Sequence, residues 1–219
     1  MLDYFLNALA TLFVTLDPIG LAPIFIGLTR GMTSAQRHQT ATRASLTAMA
    51  ILFAFALGGQ GLLTFLGISV PAFRIAGGLL LFWIAFEMVF ERRDRRKQAS
   101  ADRALGETAV VDADDVRYLA IFPLAIPLIS GPGAISATIL LASSAPGTLG
   151  LIGLLIIVAA LIGSCYLVFR LAGPLDRALG ETGRIVLSRL LGVLLSALAV
   201  QFVADGVVAI ARAAQAGGG

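Results

Sequence analysis

Two short motifs carry most of the chemistry this sequence offers. One is Asp17-Pro18-Ile19-Gly20 with Pro23 beyond it; the other is Ser130-Gly131-Pro132-Gly133, preceded by Pro123 and Pro127. Both lie inside long apolar runs. Proline has no N–H, clashes with the carbonyl four residues back and pushes its predecessor out of the helical region. Adjacent glycines lower the cost of leaving the helix. Each motif therefore predicts an interrupted helix and a fresh helix start. Asp17 before Pro18 reads as an N-cap and first-turn pair, and Ser130 or Gly131 before Pro132 reads the same way. Exposed N–H groups and positive dipole ends at such starts suit a carboxylate. A carboxylate such as Asp17 suits an ammonium, and at the centre of a membrane span it costs about 2.5–3.5 kcal/mol on insertion scales.

The residues expected to bind substrate are accordingly Asp17, Pro18, Gly20, Ser130, Gly131, Pro132 and Gly133, and the ligand they suit is a small zwitterion. Asp17 is also a candidate proton carrier. A capping role for Asp17, worth about 1 kcal/mol, is compatible with both, because one oxygen can cap while the other faces a cavity. Thr11 and Thr15, one turn apart, are expected to line the same cavity, with bonding to their own backbone as the alternative.

The remaining polar residues suggest less. Glu87 and Asp205 are expected to reach out to the interface from the ends of their helices. Gln60 and Gln201 are expected to bond between helices, and Gly77, Gly78 and Gly192 to permit close packing. His38 falls in a polar loop. Cys165 is the only cysteine, so no internal disulfide or thiolate metal cluster forms, and it reads as packing. No catalytic dyad, metal-ligand cluster, cofactor motif or nucleotide-binding loop appears, so the expectation is no enzyme, no metal and no direct use of ATP.

The elements that position these motifs are legible from composition. Apolar residues make up 58% of the 219, charged residues only 13%, and mean hydropathy is +0.93. A soluble domain carries roughly 25% charged residues, so this chain must face lipid. Spans of about 20 residues are expected near 4–28, 44–66, 70–90, 118–143, 149–171 and 187–210. Gly67-Ile68-Ser69-Val70-Pro71 and Ser143-Ser144-Ala145-Pro146-Gly147 read as compact turns. Residues 91–117, with Arg92-Arg93-Asp94-Arg95-Arg96-Lys97 followed by Asp112, Asp114 and Asp115, read as a solvated cytoplasmic linker. Met1-Leu2-Asp3 lacks a positive leader and a cleavage site, so the first span is expected to be retained.

The basic residues are 15 Arg and one Lys against 13 acids. Without interleaved aromatics they report topology, and nucleic acid is not an expected partner. With the N-terminus outside, only Arg74 and Arg212 fall outside, and the other 14 fall inside or at the adjoining helix ends. The halves also repeat. Tyr4 aligns with Tyr118 and Pro18 with Pro132 at an offset of 114, and Arg74–Leu80 aligns with Arg189–Leu195 at 115. Three spans per half make the second half an inverted copy of the first, an architecture typical of secondary transporters. The expected fold is thus all-α, with residues 1–90 as one three-helix repeat, 91–117 as linker and 118–219 as the inverted repeat. The first and fourth spans are interrupted at the midplane.

Asp17-Pro18-Ile19-Gly20 with Pro23, the Pro127–Ile135 segment and Arg74-Ile75-Ala76-Gly77-Gly78 resemble the MarC family, and the resemblance covers nearly the whole chain. It implies an integral inner-membrane protein, and some members of that family are implicated in moving glycine, alanine and other small neutral amino acids. The expected function is a proton-coupled secondary transporter of such amino acids; the alternatives are a non-transporting scaffold or stress-response protein, or an exporter of another small solute or ion. Expected partners are the amino acid, protons and the bilayer, and a homo-oligomer is compatible with the composition without any motif for it. The orientation makes a direct prediction. Reporter fusions should place position 105 inside and both termini, with the 143–148 turn, outside; a fusion at 105 that reports from outside would reverse the topology.

Overall fold

The computed structural model describes residues 1–92, 96, 97 and 118–216. Its elements are α1 (Leu2–Leu16), α2 (Leu21–Leu28), α3 (Ser34–Phe65), α4 (Val70–Val89), α5 (Ala120–Ile129), α6 (Pro132–Ser143), α7 (Gly147–Arg170) and α8 (Ala172–Ala216), all helical. Five helices are long and apolar enough to cross a membrane: Leu2–Leu28, which contains the break at 17–20, then α3, α4, α7 and the Thr182–Gln215 part of α8. A sixth span arises if α5 and α6, bent by 58°, are taken together.

Local chemistry sets the ends. Thr33 and Gln36 form a capping box that starts α3, with the Thr33 N–H donating to Gln36 Oε1 at 2.9 Å and the Gln36 N–H to Thr33 Oγ1 at 3.3 Å. This cap draws the helix start to Ser34, ten residues before the expected apolar boundary, so the polar first turns extend the span. Ser69 caps α4 by accepting from the Ala72 N–H at 3.3 Å, with Pro71 in the first turn. Gly180, at φ 61°, breaks α8 before its apolar part begins.

The core gathers Leu12, Leu16, Leu21, Leu81, Leu124, Leu140 and Leu154, all fully buried. Large apolar side chains remain exposed around the outside, among them Leu57, Phe65, Leu79, Trp83, Leu149, Ile156 and Leu194. Apolar surface on this scale suits lipid rather than water. Tyr4 ties α1 to α6 by donating to the Leu141 carbonyl at 2.9 Å.

Glycines let two long helices approach, as expected for Gly78 and Gly192. A Cβ on Gly78 would lie 2.8 Å from the Ala199 carbonyl oxygen, and one on Gly192 would lie 3.0 Å from that of Ala85. Both contacts join α4 to α8. Gly77 instead faces α6, near Ser136 and Leu140. Among the described residues the expected glutamine bonds between helices do not form. Gln201 donates to Asp205 within its own helix at 2.7 Å, and the side chain of Gln60 is exposed. Both amides face outward, where no neighbouring helix offers a partner. Asp205 is exposed, as expected.

Backbone-limited packing has a measurable consequence. Gly78→Val should overpack the α4–α8 seam and lose about 1–3 kcal/mol, seen as a lower melting temperature in detergent. Gly61→Ala, with nothing within 4 Å of its would-be Cβ, should match or exceed the parent. Equal melting of Gly78→Val and the parent would contradict the close approach.

Candidate functional site

The first break forms at Asp17. It takes a left-handed conformation (φ 53°, ψ 63°) that ends α1, its N–H bonding the Phe13 carbonyl. Aspartate tolerates this region better than most residues. Residues 18–20 then turn, and α2 begins at Leu21. The expected start at Pro18 is therefore corrected by three residues. The left-handed Asp17 directs the chain into a turn before the helix, and Pro18 supplies that turn's fixed φ. The capping bond survives in altered form, with Asp17 Oδ1 accepting from the Gly20 N–H at 3.1 Å. A Cβ on residue 20 would lie 2.2 Å from Asp17 Oδ2, so Gly20 is what lets the carboxylate fold over the turn.

The second break is more severe. Phe122 and Ile126 are extended within α5, at φ −129° and −127°, each ahead of a cis proline. The Ser130 N–H reaches back to the Ala125 carbonyl at 2.8 Å. α6 starts at Pro132 with Gly131 in the capping position (φ −75°, ψ 170°), where the sequence placed the helix start. Ser130 does not cap it; its hydroxyl donates to the Ala48 carbonyl at 3.2 Å and fastens the break to α3.

The two breaks meet. A Cβ on Gly133 would lie 3.3 Å from Thr15 Cγ2, and 2.2 Å from Ile84 Cδ1. Around this contact is a cavity of about 270 Å³ lined by Thr15, Ile84, Arg96, Lys97 and the stretches Pro127–Ile129 and Gly131–Ala134. Of the residues expected to share a cavity, Thr15, Gly131, Pro132 and Gly133 line this one. Asp17, Pro18, Gly20 and Ser130 do not line it and shape the breaks from outside; Asp17 folds over its own turn to bond the Gly20 N–H instead of facing the cavity. Thr11 is fully buried and donates to Asn7 Oδ1 at 3.0 Å, with its carbonyl accepting from the Thr15 hydroxyl. It is not among the lining residues, because its side chain turns back along its own helix.

Sequence reasoning missed Lys97. It falls in the segment read as solvated, yet it is only 7% exposed, and its Nζ donates to Asp17 Oδ2 at 3.1 Å across 80 positions of sequence. The solvated expectation for 91–117 thus fails at Lys97; residues 93–95 and 98–117 lie outside the described residues. The physical reason is charge: a carboxylate removed from water holds a cation that can reach it. One signal was available, since Lys97 is the single lysine among 15 arginines. A compact ammonium on a flexible stem fits where a planar guanidinium does not.

Glu87 also departs from expectation. It is 5% exposed, and its Oε1 accepts from Arg96 at 3.0 Å while Oε2 has no partner among the described residues. It is turned inward by the neighbouring cation instead of reaching an interface. His38, expected in a loop, lies instead in the first turns of α3, which the capping box extends over it, and contacts Tyr166 at 3.3 Å and Arg170 at 3.0 Å in an exposed cluster. Cys165 is buried in α7, consistent with packing.

Comparison with known proteins agrees with this membrane architecture. The model of the family described as MarC family integral membrane protein matches residues 2–211. The chain is 36% identical over 199 residues to the UPF0056 membrane protein YhcE of Escherichia coli, covering 91% of this chain and 89% of that one. It is 37% identical to a UPF0056 membrane protein of Archaeoglobus fulgidus, over 94% of this chain and 92% of the relative. A Methanocaldococcus jannaschii UPF0056 membrane protein is 34% identical over 94% and 97%. No solved structure matches. With helices that suit a bilayer and a family match along almost its whole length, the chain belongs to the MarC family of integral membrane proteins.

Proposed function

We propose that the protein is a secondary transporter of small neutral amino acids of the glycine and alanine kind, coupled to protons, in the inner membrane. In this reading its six spans form two inverted repeats, residues 1–90 and 118–219, and both termini lie outside. The observation that carries the proposal is the meeting of two helix breaks, Thr15 against Gly133, beside a buried carboxylate. Interrupted backbone inside a membrane persists only where protein or a water-filled cavity satisfies it. Discontinuous helices meeting between repeats are where secondary transporters bind substrate and coupling ions.

The chemistry then divides by charge. The start of α6 offers N–H groups and a positive dipole end to a substrate carboxylate. Asp17 offers a carboxylate to an ammonium or a proton. The cavity, at about 270 Å³, falls below the roughly 300–1,000 Å³ typical of sites for drug-sized ligands, in keeping with a small solute. A hard divalent cation fits less well, since it seeks six or more oxygen ligands and among the described residues Asp17 is the one carboxylate that the breaks hold.

Asp17→Asn tests the assignment. The amide oxygen can still accept from the Gly20 N–H, and Lys97 can turn toward the cavity it lines, so the variant should fold and insert. Uptake of labelled alanine into proteoliposomes under a pH gradient should fall to background, or lose its dependence on the gradient. Uptake equal to the parent's would return Asp17 to capping alone.

A further inference from the structure

The Asp17–Lys97 pair has an asymmetry that a purely structural ion pair does not need. Among the described residues lining the cavity are Lys97 and Arg96, but not Asp17. The side chains of Lys97 and Asp17 are 8% and 5% exposed. Lys97 thus borders the cavity while the carboxylate it binds does not, so a solute in the cavity reaches Lys97 before Asp17. Arg96, 57% exposed and paired with Glu87, marks the wetter side of the same cavity. Lys97 comes from outside the spanning helices, on a chain segment 80 positions away from its partner. Its four-carbon stem lets the head move while the backbone stays.

From this placement we propose that Lys97 is a tethered competitor: its ammonium occupies the position on Asp17 that a substrate ammonium must take. The inference rests on the reading of Asp17 as a cation-binding group. In the state described here the carboxylate is satisfied by one backbone N–H and one ammonium. An arriving amino acid supplies the same group, so exchange leaves Asp17 paired throughout and never strands a charge in a dry site. Lys97, once displaced, moves into the cavity and toward the side where Arg96 is exposed. A tethered ion also sets apparent affinity, because only the fraction of protein with the pair open can bind.

The test uses the full chain in detergent, with methylammonium as a bare cation probe and the thermal shift as readout. If Lys97 occupies Asp17 about 90% of the time, its removal should tighten apparent binding about tenfold. Lys97→Gln should therefore respond at roughly one-tenth the methylammonium concentration that the parent needs. Lys97→Met, closer in shape, serves if the amide variant fails to fold. Asp17→Asn/Lys97→Gln should not respond, yet without ligand it should melt above the level that the two single changes, added together, would give. Equal or weaker methylammonium binding in both Lys97 variants would overturn the proposal, as would strictly additive melting shifts. Tighter methylammonium binding without any response to alanine would sustain the Lys97 inference while removing the amino-acid reading.

Discussion

A carboxylate withdrawn from water must have its oxygens engaged, and in this protein that demand organises everything around Asp17. Breaking a buried pair by removing one partner typically costs about 3–5 kcal/mol, because the other charge is stranded. Asp17 avoids this with two partners drawn from different directions: the Gly20 N–H from the turn just ahead and the Lys97 ammonium from a distant segment. The first partner requires the helix to stop, which the left-handed Asp17 and Pro18 achieve, and requires no Cβ at position 20. The second requires that residues 96 and 97 return to the helices after α4 has ended. Helix break, glycine and returning segment are consequences of placing one charge.

The second break carries no charge and is held by geometry. Ser130 fastens it to α3, Gly131 approaches the Pro127 carbonyl closely, and Gly133 leaves room for Thr15 and Ile84. Its helix start at Pro132 opens on the same cavity that Lys97 lines, and Lys97 in turn holds Asp17. Around both breaks, tight helix seams such as α4–α8 supply the rigidity that an interrupted backbone gives up.

What could be read in advance follows from how local each signal is. The spans are dictated by runs of apolar residues, so they emerge from composition, and the helix start at Pro132 follows from the Gly-Pro pair itself. The start of α2 was misplaced because one left-handed residue shifts a helix by a turn, and proline position alone does not report that. Lys97 and Glu87 were misjudged for a different reason. Both lie in or beside a charged segment whose composition signals solvent, and burial there is decided by a partner 80 positions away for Lys97 and by the neighbouring Arg96 for Glu87. Gln201 failed in the opposite sense, bonding Asp205 one turn along rather than reaching another helix. Long-range pairing is the part of the site that periodicity and spacing do not encode.

The account depends above all on the two breaks sharing one cavity, and a crosslink between them tests this most directly. Thr15→Cys and Gly133→Cys, combined with Cys165→Ser and with Ile84→Val to make room, would place two thiols across the contact. A disulfide needs Cβ atoms roughly 3.5–4.5 Å apart; a Cβ at position 133 lies 3.3 Å from Thr15 Cγ2, a position that the Sγ of a cysteine at residue 15 can take. In native membranes a mild oxidant should close this bond in nearly every molecule, read by mass spectrometry as the loss of both free thiols. Two thiols that stay reduced, and that alkylate independently of one another, would place the breaks apart and contradict a common site.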